Sequence, residues 1–251
     1  MGIVLADLMH PTSRTVLITG AAHRIGRAIA IDLGKQGWTV AVHYNRSQEK
    51  AQSVAAEIVA NGNRAEVVHA DLSVTAHCQN LVDKATSSLG PLTCLINNAA
   101  VFERDTVETL SDESWTRHIN INLRAPLLLT QAFAAQIPEN THGNVINLLD
   151  QLVWRLIPTY VSYTASKSAL WTLTQTLAMA LAPKIRVNGI GPGPTLPNAQ
   201  QTPEAFSAQC DSTPLGIGTT PNEIARAVRF ILSTPGMTGQ MIALDGGQHL
   251  V

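Results

Sequence analysis

The sequence predicts an α/β fold in which parallel strands, joined by right-handed crossovers, form one sheet with helices on both faces. Three observations predict it. Short β-branched runs alternate with longer stretches of helical periodicity along the chain. The first run leads straight into a glycine-containing turn and then a helix. No internal repeat or long linker divides the 251 residues, a length that one large domain accommodates.

In order, the strands read as Thr15–Thr19, Thr39–Tyr44, Ala65–Ala70, Cys94–Asn97, Asn144–Leu149, Arg186–Ile190 and Met241–Leu244. Most are short apolar runs, as strands covered on both faces require. Helical stretches lie between them at 25–36, 48–61, 75–89, 111–137, 161–182 and 221–233. Hydrophobic residues make up 45% of the chain and aromatics only 4%, so Ala, Val, Ile and Leu must do most of the packing. On helix 161–182 the apolar residues Ala165, Ala169, Leu173, Leu177 and Ala180 serve the core or a subunit contact. From Pro192 to Pro221 the pattern breaks, with six prolines and little periodicity. A long loop in a compact domain is usually a lid or a binding loop, which places a substrate loop at about 194–220.

Residues 1–14 are expected to form a flexible tail ahead of a single domain over 15–251. The stretch lacks a basic n-region, and Asp7 interrupts its apolar part, so it does not read as a signal peptide. Ala6 stands where an N-myristoylation signal wants Ser or Thr. No segment is apolar for the length of a membrane span. The net charge of −1, with no long basic run, recommends neither nucleic acid nor an anionic membrane as partner. Three scattered cysteines, Cys78, Cys94 and Cys210, read as reduced thiols in a cytoplasmic protein. The eight histidines show no ligand spacing, so no metal site is expected. Ser162 and Ser166 lie outside any GxSxG elbow, which argues against acyl hydrolysis.

The residues that suggest chemistry fall into two groups. The first is the turn from Thr19 to Gly26, followed by a helix. Glycine allows a tight turn and close backbone approach, a helix N-terminus favours phosphate, and Arg24 adds a cation where a pyrophosphate would lie. After the second strand comes His43-Tyr44-Asn45-Arg46-Ser47, with no carboxylate to bond a free ribose 2′-hydroxyl. Arg46 can instead pair with a 2′-phosphate, and Asn45 and Ser47 can add hydrogen bonds, which selects NADP over NAD.

The second group is Tyr163, Lys167 and Asp150. Tyr163 and Lys167 stand at i, i+4 and project from one helix face. An ammonium there favours the phenolate and lowers the tyrosine pKa from about 10, so that the phenol can exchange a proton near neutral pH. Asp150 ends the fifth strand, beside the same site. Its carboxylate has no proton to donate to a ketone oxygen and would repel a nascent oxyanion, but it suits a ring with N–H donors and a nitrogen that needs a proton. In a partly desolvated pocket its pKa should rise. Trp154, Arg155 and Leu156 follow in a segment that should border the pocket.

Taken together, the Thr19–Gly26 turn, Asp71-Leu72, Asn97-Asn98-Ala99, Asn122, Tyr163-Thr164-Ala165-Ser166-Lys167, Asn188, Pro192-Gly193 and Asp245-Gly246-Gly247 resemble the short-chain dehydrogenase/reductase family over Thr15 to Gly247. The resemblance implies a single Rossmann-type domain with an open, parallel, seven-stranded sheet, and a hydride passed between a nicotinamide cofactor and a small molecule. It implies Tyr163 as proton donor, Lys167 as the residue that tunes it and holds the ribose, and Asn122 as support for a water relay. Gly20, Ile25, Gly26, Asp71, Leu72, Asn98, Ala99, Ala100, Pro192 and Gly193 would line the cofactor, and the family implies a homotetramer. Three residues depart from the common pattern: Arg24 and Ala100 replace glycines, and Asp150 replaces a serine. These departures are similar to the pteridine reductase branch, including bacterial dihydromonapterin and dihydrofolate reductases of this fold. Phe102 matches an aromatic that stacks the pterin there, so Arg24, Phe102, Asp150 and Tyr163 are the expected substrate contacts. The expected function is NADPH-dependent reduction of a pterin. A carbonyl or 3-oxoacyl thioester reductase is the alternative, and a non-catalytic nucleotide-binding regulator is a more distant one.

Overall fold

The computed structural model describes residues 14–198 and 201–251. Apart from Arg14, the tail expected at 1–14 lies outside the described residues. In chain order the elements are β1 (Thr15–Ile18), α1 (Arg24–Lys35), β2 (Thr39–Tyr44), α2 (Gln48–Ala60), β3 (Ala65–His69), α3 (Thr75–Leu89) and β4 (Cys94–Asn97). There follow α4 (Asp112–Ile119), a π-helical turn (Asn120–Arg124), α5 (Ala125–Gln136), β5 (Gly143–Leu148) and α6 (Val161–Leu181). The chain closes with β6 (Ile185–Pro192), α7 (Pro203–Asp211), α8 (Pro221–Leu232) and β7 (Met241–Leu244).

All seven strands are parallel and form one sheet in the order β3-β2-β1-β4-β5-β6-β7. Strand alternation divides the core in two. Val16 and Ile18 of β1 join Val40, Val42, Ile96 and Ile146 on one face, under α1, α2 and α8. Leu17, Leu95, Val145 and Val187 point the other way, to Leu81, Leu129 and Phe133 of α3 and α5. Both faces are therefore covered, which is why the strands read as continuous apolar runs rather than alternating ones. Because the strand order reverses on either side of β1, the loops after β1 and β4 splay apart and open a crevice at the strand C-termini.

The structure differs from the sequence reading in three places. The helix expected over 111–137 is broken into α4 and α5 by the π-helical turn. Pro126, in the first turn of α5, has no amide hydrogen, so the carbonyl of Asn122 loses its α-helical donor. The loop expected to be irregular contains α7, which starts at the Thr202 cap and the following proline. On α6 the buried stripe is Leu170, Thr174 and Ala178 together with Tyr163 and Lys167; of the apolar residues singled out there, Leu177 packs against the core from a half-buried position, Ala165, Ala169 and Leu173 are half-buried, and Ala180 is exposed.

Candidate active site

The crevice consists of two adjoining cavities at the C-terminal edge of the sheet. One, of about 680 Å³, runs along the turn after β1 and the end of β2. It is lined by Gly20, Gly26, Asn45, Arg46, Ser47, Asp71, Leu72 and Ala99 among others. The second, of about 510 Å³, is lined by Phe102, Asp150, Tyr163, Lys167, Pro192 and Gly193. Arg24, Ile25, Asn98 and Ala100 line both. Of the residues expected to serve catalysis, cofactor or substrate, Asn122 alone lines neither.

Local bonding explains why the turn sits where it does. Thr19 Oγ1 accepts the amides of Asn98 and Ala99 at 2.9 and 3.0 Å. Asn98 Nδ2 donates to the carbonyls of Thr19 and Gly20 at 2.8 and 3.2 Å. Gly20 adopts φ 64°, and a Cβ on Gly26 would lie 2.6 Å from Asn98 Nδ2 and collide with the Gly20 carbonyl. From β2, His43 Nδ1 accepts the Gly20 amide at 3.0 Å, and its Nε2 reaches the Ala70 carbonyl beyond β3 at 3.1 Å. These bonds require the neutral ring, and burial pushes the His43 pKa down to about 4.

Asn45 and Arg46 are exposed on the rim, and no carboxylate lies between His43 and Ser47. Asp71 accepts the amide and hydroxyl of Ser73 at 2.9 and 2.7 Å, which holds its pKa below the usual carboxylate range. Arg24 is held at φ 54°, a left-handed conformation costly for a residue with a Cβ. Its guanidinium does not lie free over the turn, as the sequence suggested. It donates to the carbonyls of Pro197 and Leu196 at 2.9 and 3.2 Å, clasping the loop after β6.

In the second cavity the Tyr163 hydroxyl donates to Asp150 Oδ2 at 2.8 Å. Asp150 Oδ1 caps the short 3-10 turn Gln151–Val153 by accepting the Leu152 amide at 2.9 Å. Lys167 is buried; its Nζ donates to the Leu148 carbonyl at 2.6 Å and lies 5.8 Å from the centre of the Tyr163 ring. The expected lowering of the tyrosine pKa gives way to the opposite balance. Burial first, and then the adjacent Asp150 charge and hydrogen bond, hold the phenol well above its ordinary value, because the carboxylate touches the hydroxyl and the ammonium does not. Burial raises the Asp150 pKa and pushes that of Lys167 down to about 8. Tyr163 is therefore a neutral phenol in contact with a carboxyl group whose pKa burial raises.

Phe102 stacks face to face on Tyr160, with centroids 4.5 Å apart and planes 6° from parallel, and meets Tyr163 edge-on at 4.7 Å. Tyr160, which sequence reasoning missed, caps α6 at φ 59°. No sequence pattern announces a left-handed tyrosine. Asn122 lies behind the cavity: its Oδ1 accepts the Val101 amide at 2.8 Å, and its Nδ2 donates to the Val101 carbonyl at 2.9 Å and to Ser166 Oγ at 3.1 Å. Both amide hydrogens are engaged, so the side chain clamps Val101 to Ser166. Of the three residues after the 3-10 turn, Arg155 lines the cavity, Trp154 packs against Trp171 and His249, and Leu156 is exposed. Among the described residues no three metal-ligating side chains converge, and no helix is long and apolar enough to cross a membrane.

A Rossmann-like sheet with a glycine turn at its switch point and a Tyr–Lys pair beside it defines a class of oxidoreductases, and this chain belongs to the short-chain dehydrogenase/reductase family. Residues 20–249 match a family model described as enoyl-(acyl carrier protein) reductase. The crystal structure of FolM alternative dihydrofolate reductase 1 from Brucella canis, complexed with NADP, is 45% identical. It superposes with a TM-score of 0.93 over 97% of this chain and 96% of that one. An uncharacterized oxidoreductase of Methylorubrum extorquens is 34% identical over 242 residues, 93% of this chain and 97% of that protein. The 3-oxoacyl-[acyl-carrier-protein] reductase of Synechocystis is 30% identical over 242 residues, 94% of this chain and 97% of that protein.

Proposed function

We propose that this protein is an NADPH-dependent reductase of a pterin-type ring, a dihydropterin or dihydrofolate. The observation that carries the reading is the 2.8 Å hydrogen bond from Tyr163 to Asp150, in a cavity walled by Phe102. The likeness to a dihydrofolate reductase that binds NADP supports it.

The first cavity fits the cofactor. Gly20 and Gly26 leave room for close backbone approach, and Arg46 with Asn45 and Ser47 offers a 2′-phosphate a cation and hydrogen bonds where NAD-binding sites place an acid. Asp71, Leu72, Asn98, Ala99 and Ala100 line the path from there to the second cavity, where Pro192, Gly193 and Lys167 would hold the nicotinamide end. When bound, NADPH supplies a hydride to the substrate ring. Tyr163 holds the matching proton on its hydroxyl, where its raised pKa keeps it until a basic ring nitrogen draws it away. The phenolate left behind would face a second anion at Asp150. The raised pKa of that carboxyl lets it carry the proton that replaces the one lost. Lys167 offsets the remaining charge from across the ring.

The same geometry weighs against ketones, since an oxyanion forming beside Asp150 would be repelled. Steady-state rates with NADPH on dihydrofolate and dihydropterins, set against simple ketones and a 3-oxoacyl thioester, test the reading. Faster turnover of the ring substrates is expected. Asp150→Ser should cut that turnover and raise the ketone rate. Turnover of ketones with none on pterins would reject the reading in favour of a carbonyl reductase.

A further inference from the structure

Behind the ring pair lies a group of buried polar side chains that the proposed chemistry does not use. Ser162 and His118 are fully buried, and Asp105 is nearly so. The Ser162 hydroxyl donates to Asp105 Oδ2, and the Ser162 amide faces the same carboxylate at 3.3 Å. His118 Nε2 accepts the Glu103 amide at 3.2 Å, which places the ring proton on Nδ1. That Nδ1 lies 2.9 Å from both Ser162 Oγ and the Ser114 carbonyl.

These are the residue types of a nucleophilic triad, but the bonds run the wrong way. Ser162 gives its proton to the carboxylate rather than to the imidazole, and His118 Nε2 is already occupied. None of the three lines either cavity. The group is a tether.

What it tethers is the segment leaving β4. Asn122 clamps Val101, His118 holds the Glu103 amide, and Ser162 holds the Asp105 side chain, while the Asp105 carbonyl accepts the Tyr160 amide at 2.8 Å. Residues 101, 103 and 105 are thus fixed toward α4, the π-helical turn and α6. Phe102, held between them, meets Tyr160 and Tyr163 at the start of α6, and the left-handed Tyr160 backbone is retained by its bond to Asp105.

We propose that Asp105, His118 and Ser162 are positioning residues that fix the Phe102–Tyr160 ring pair beside Tyr163 and so set the face on which a planar substrate ring stacks. This rests on the reading of the site as a ring reductase. Ser162→Ala removes the central hydroxyl, and Asp105→Asn keeps the shape without the charge. Each should raise the KM for dihydropterin about tenfold, with a smaller fall in kcat, the loss expected for a hydrogen bond to a charged group. NADPH affinity, read from nucleotide fluorescence, should stay within about twofold. In a Phe102→Ala background neither substitution should raise KM further, because the tether acts through that ring. Amide hydrogen exchange at Val101, Glu103 and Tyr160 should accelerate in both variants without any substrate.

Unchanged exchange would overturn the proposal, as would KM effects that persist undiminished without the Phe102 ring. Loss of active protein at constant KM would mark a merely structural role and overturn it too. Should the unaltered protein reduce ketones and no pterins, the substrate reading fails, while the exchange measurement still decides the tether.

Discussion

His43 accepts the amide hydrogen of Gly20 and reaches the carbonyl of Ala70, so one neutral imidazole joins the ends of three neighbouring strands under the cofactor turn. Its folded pKa is about 4, depressed from an ordinary 6.5, so the unfolded chain binds the proton more readily. The stabilisation from neutral His43 is therefore fully present above about pH 6.5 and is lost as pH falls toward 4. From the shift, the loss is about 3 kcal/mol. Urea unfolding across this range measures it. His43→Gln can offer an oxygen to Gly20 and an amide to Ala70, and it should flatten the slope. An equal slope in both proteins would place the acid sensitivity elsewhere.

Cofactor choice should turn on Arg46. NADPH should be preferred over NADH, and Arg46→Ala should remove most of that preference by deleting a charge-assisted contact worth roughly 1.5–3 kcal/mol. Comparable kcat/KM for the two nucleotides in the unaltered protein would sink the assignment.

Tyr163→Phe keeps the ring that meets Phe102 and removes only the hydroxyl that Asp150 accepts. Turnover should fall by roughly 10²–10⁴-fold, the contribution typical of a positioned acid. NADPH binding should hardly change. Near-normal rates would make Asp150 itself the donor to the substrate.

The alkaline limb of the pH profile should belong to Lys167. Its pKa is near 8, so the ammonium is present below that pH and lost above it, while the Tyr163 phenol stays protonated throughout. We expect kcat/KM to decline above about pH 8, and the residual activity of Lys167→Arg to be flat there, since a guanidinium stays charged. A decline that starts only above pH 10 would point to the phenol instead.

The strands were legible because a parallel sheet buried on both faces leaves dense apolar runs such as Val16-Leu17-Ile18. The residues around the crevice were legible because the turn, the Asn98 segment and the Tyr163–Lys167 pair lie at fixed distances along the chain. The phase slip at Asn120–Arg124 was not, since one extra residue barely disturbs a helical pattern. Nor was α7, which buries no residue and so carries no periodicity; Thr202-Pro203-Glu204 was its one available start signal. Asp105, His118 and Ser162 escaped because they meet only through the fold, across gaps in sequence that no local motif spans. The sign of the Tyr163 shift depended on which charge touches the hydroxyl, and spacing along one helix cannot show that.

The π-helical turn lets one continuous rod face two partners. Its α4 half packs on α6 and its α5 half on α3. A π turn holds one residue more than an α turn, and each residue advances a helix by about 100°. Deleting any one residue between Asn120 and Arg124 would remove the extra residue and swing one half about its axis relative to the other. Either His118 would leave Ser162 or Phe133 would leave the sheet. A single-codon deletion that a surface loop would tolerate should therefore be prohibited here.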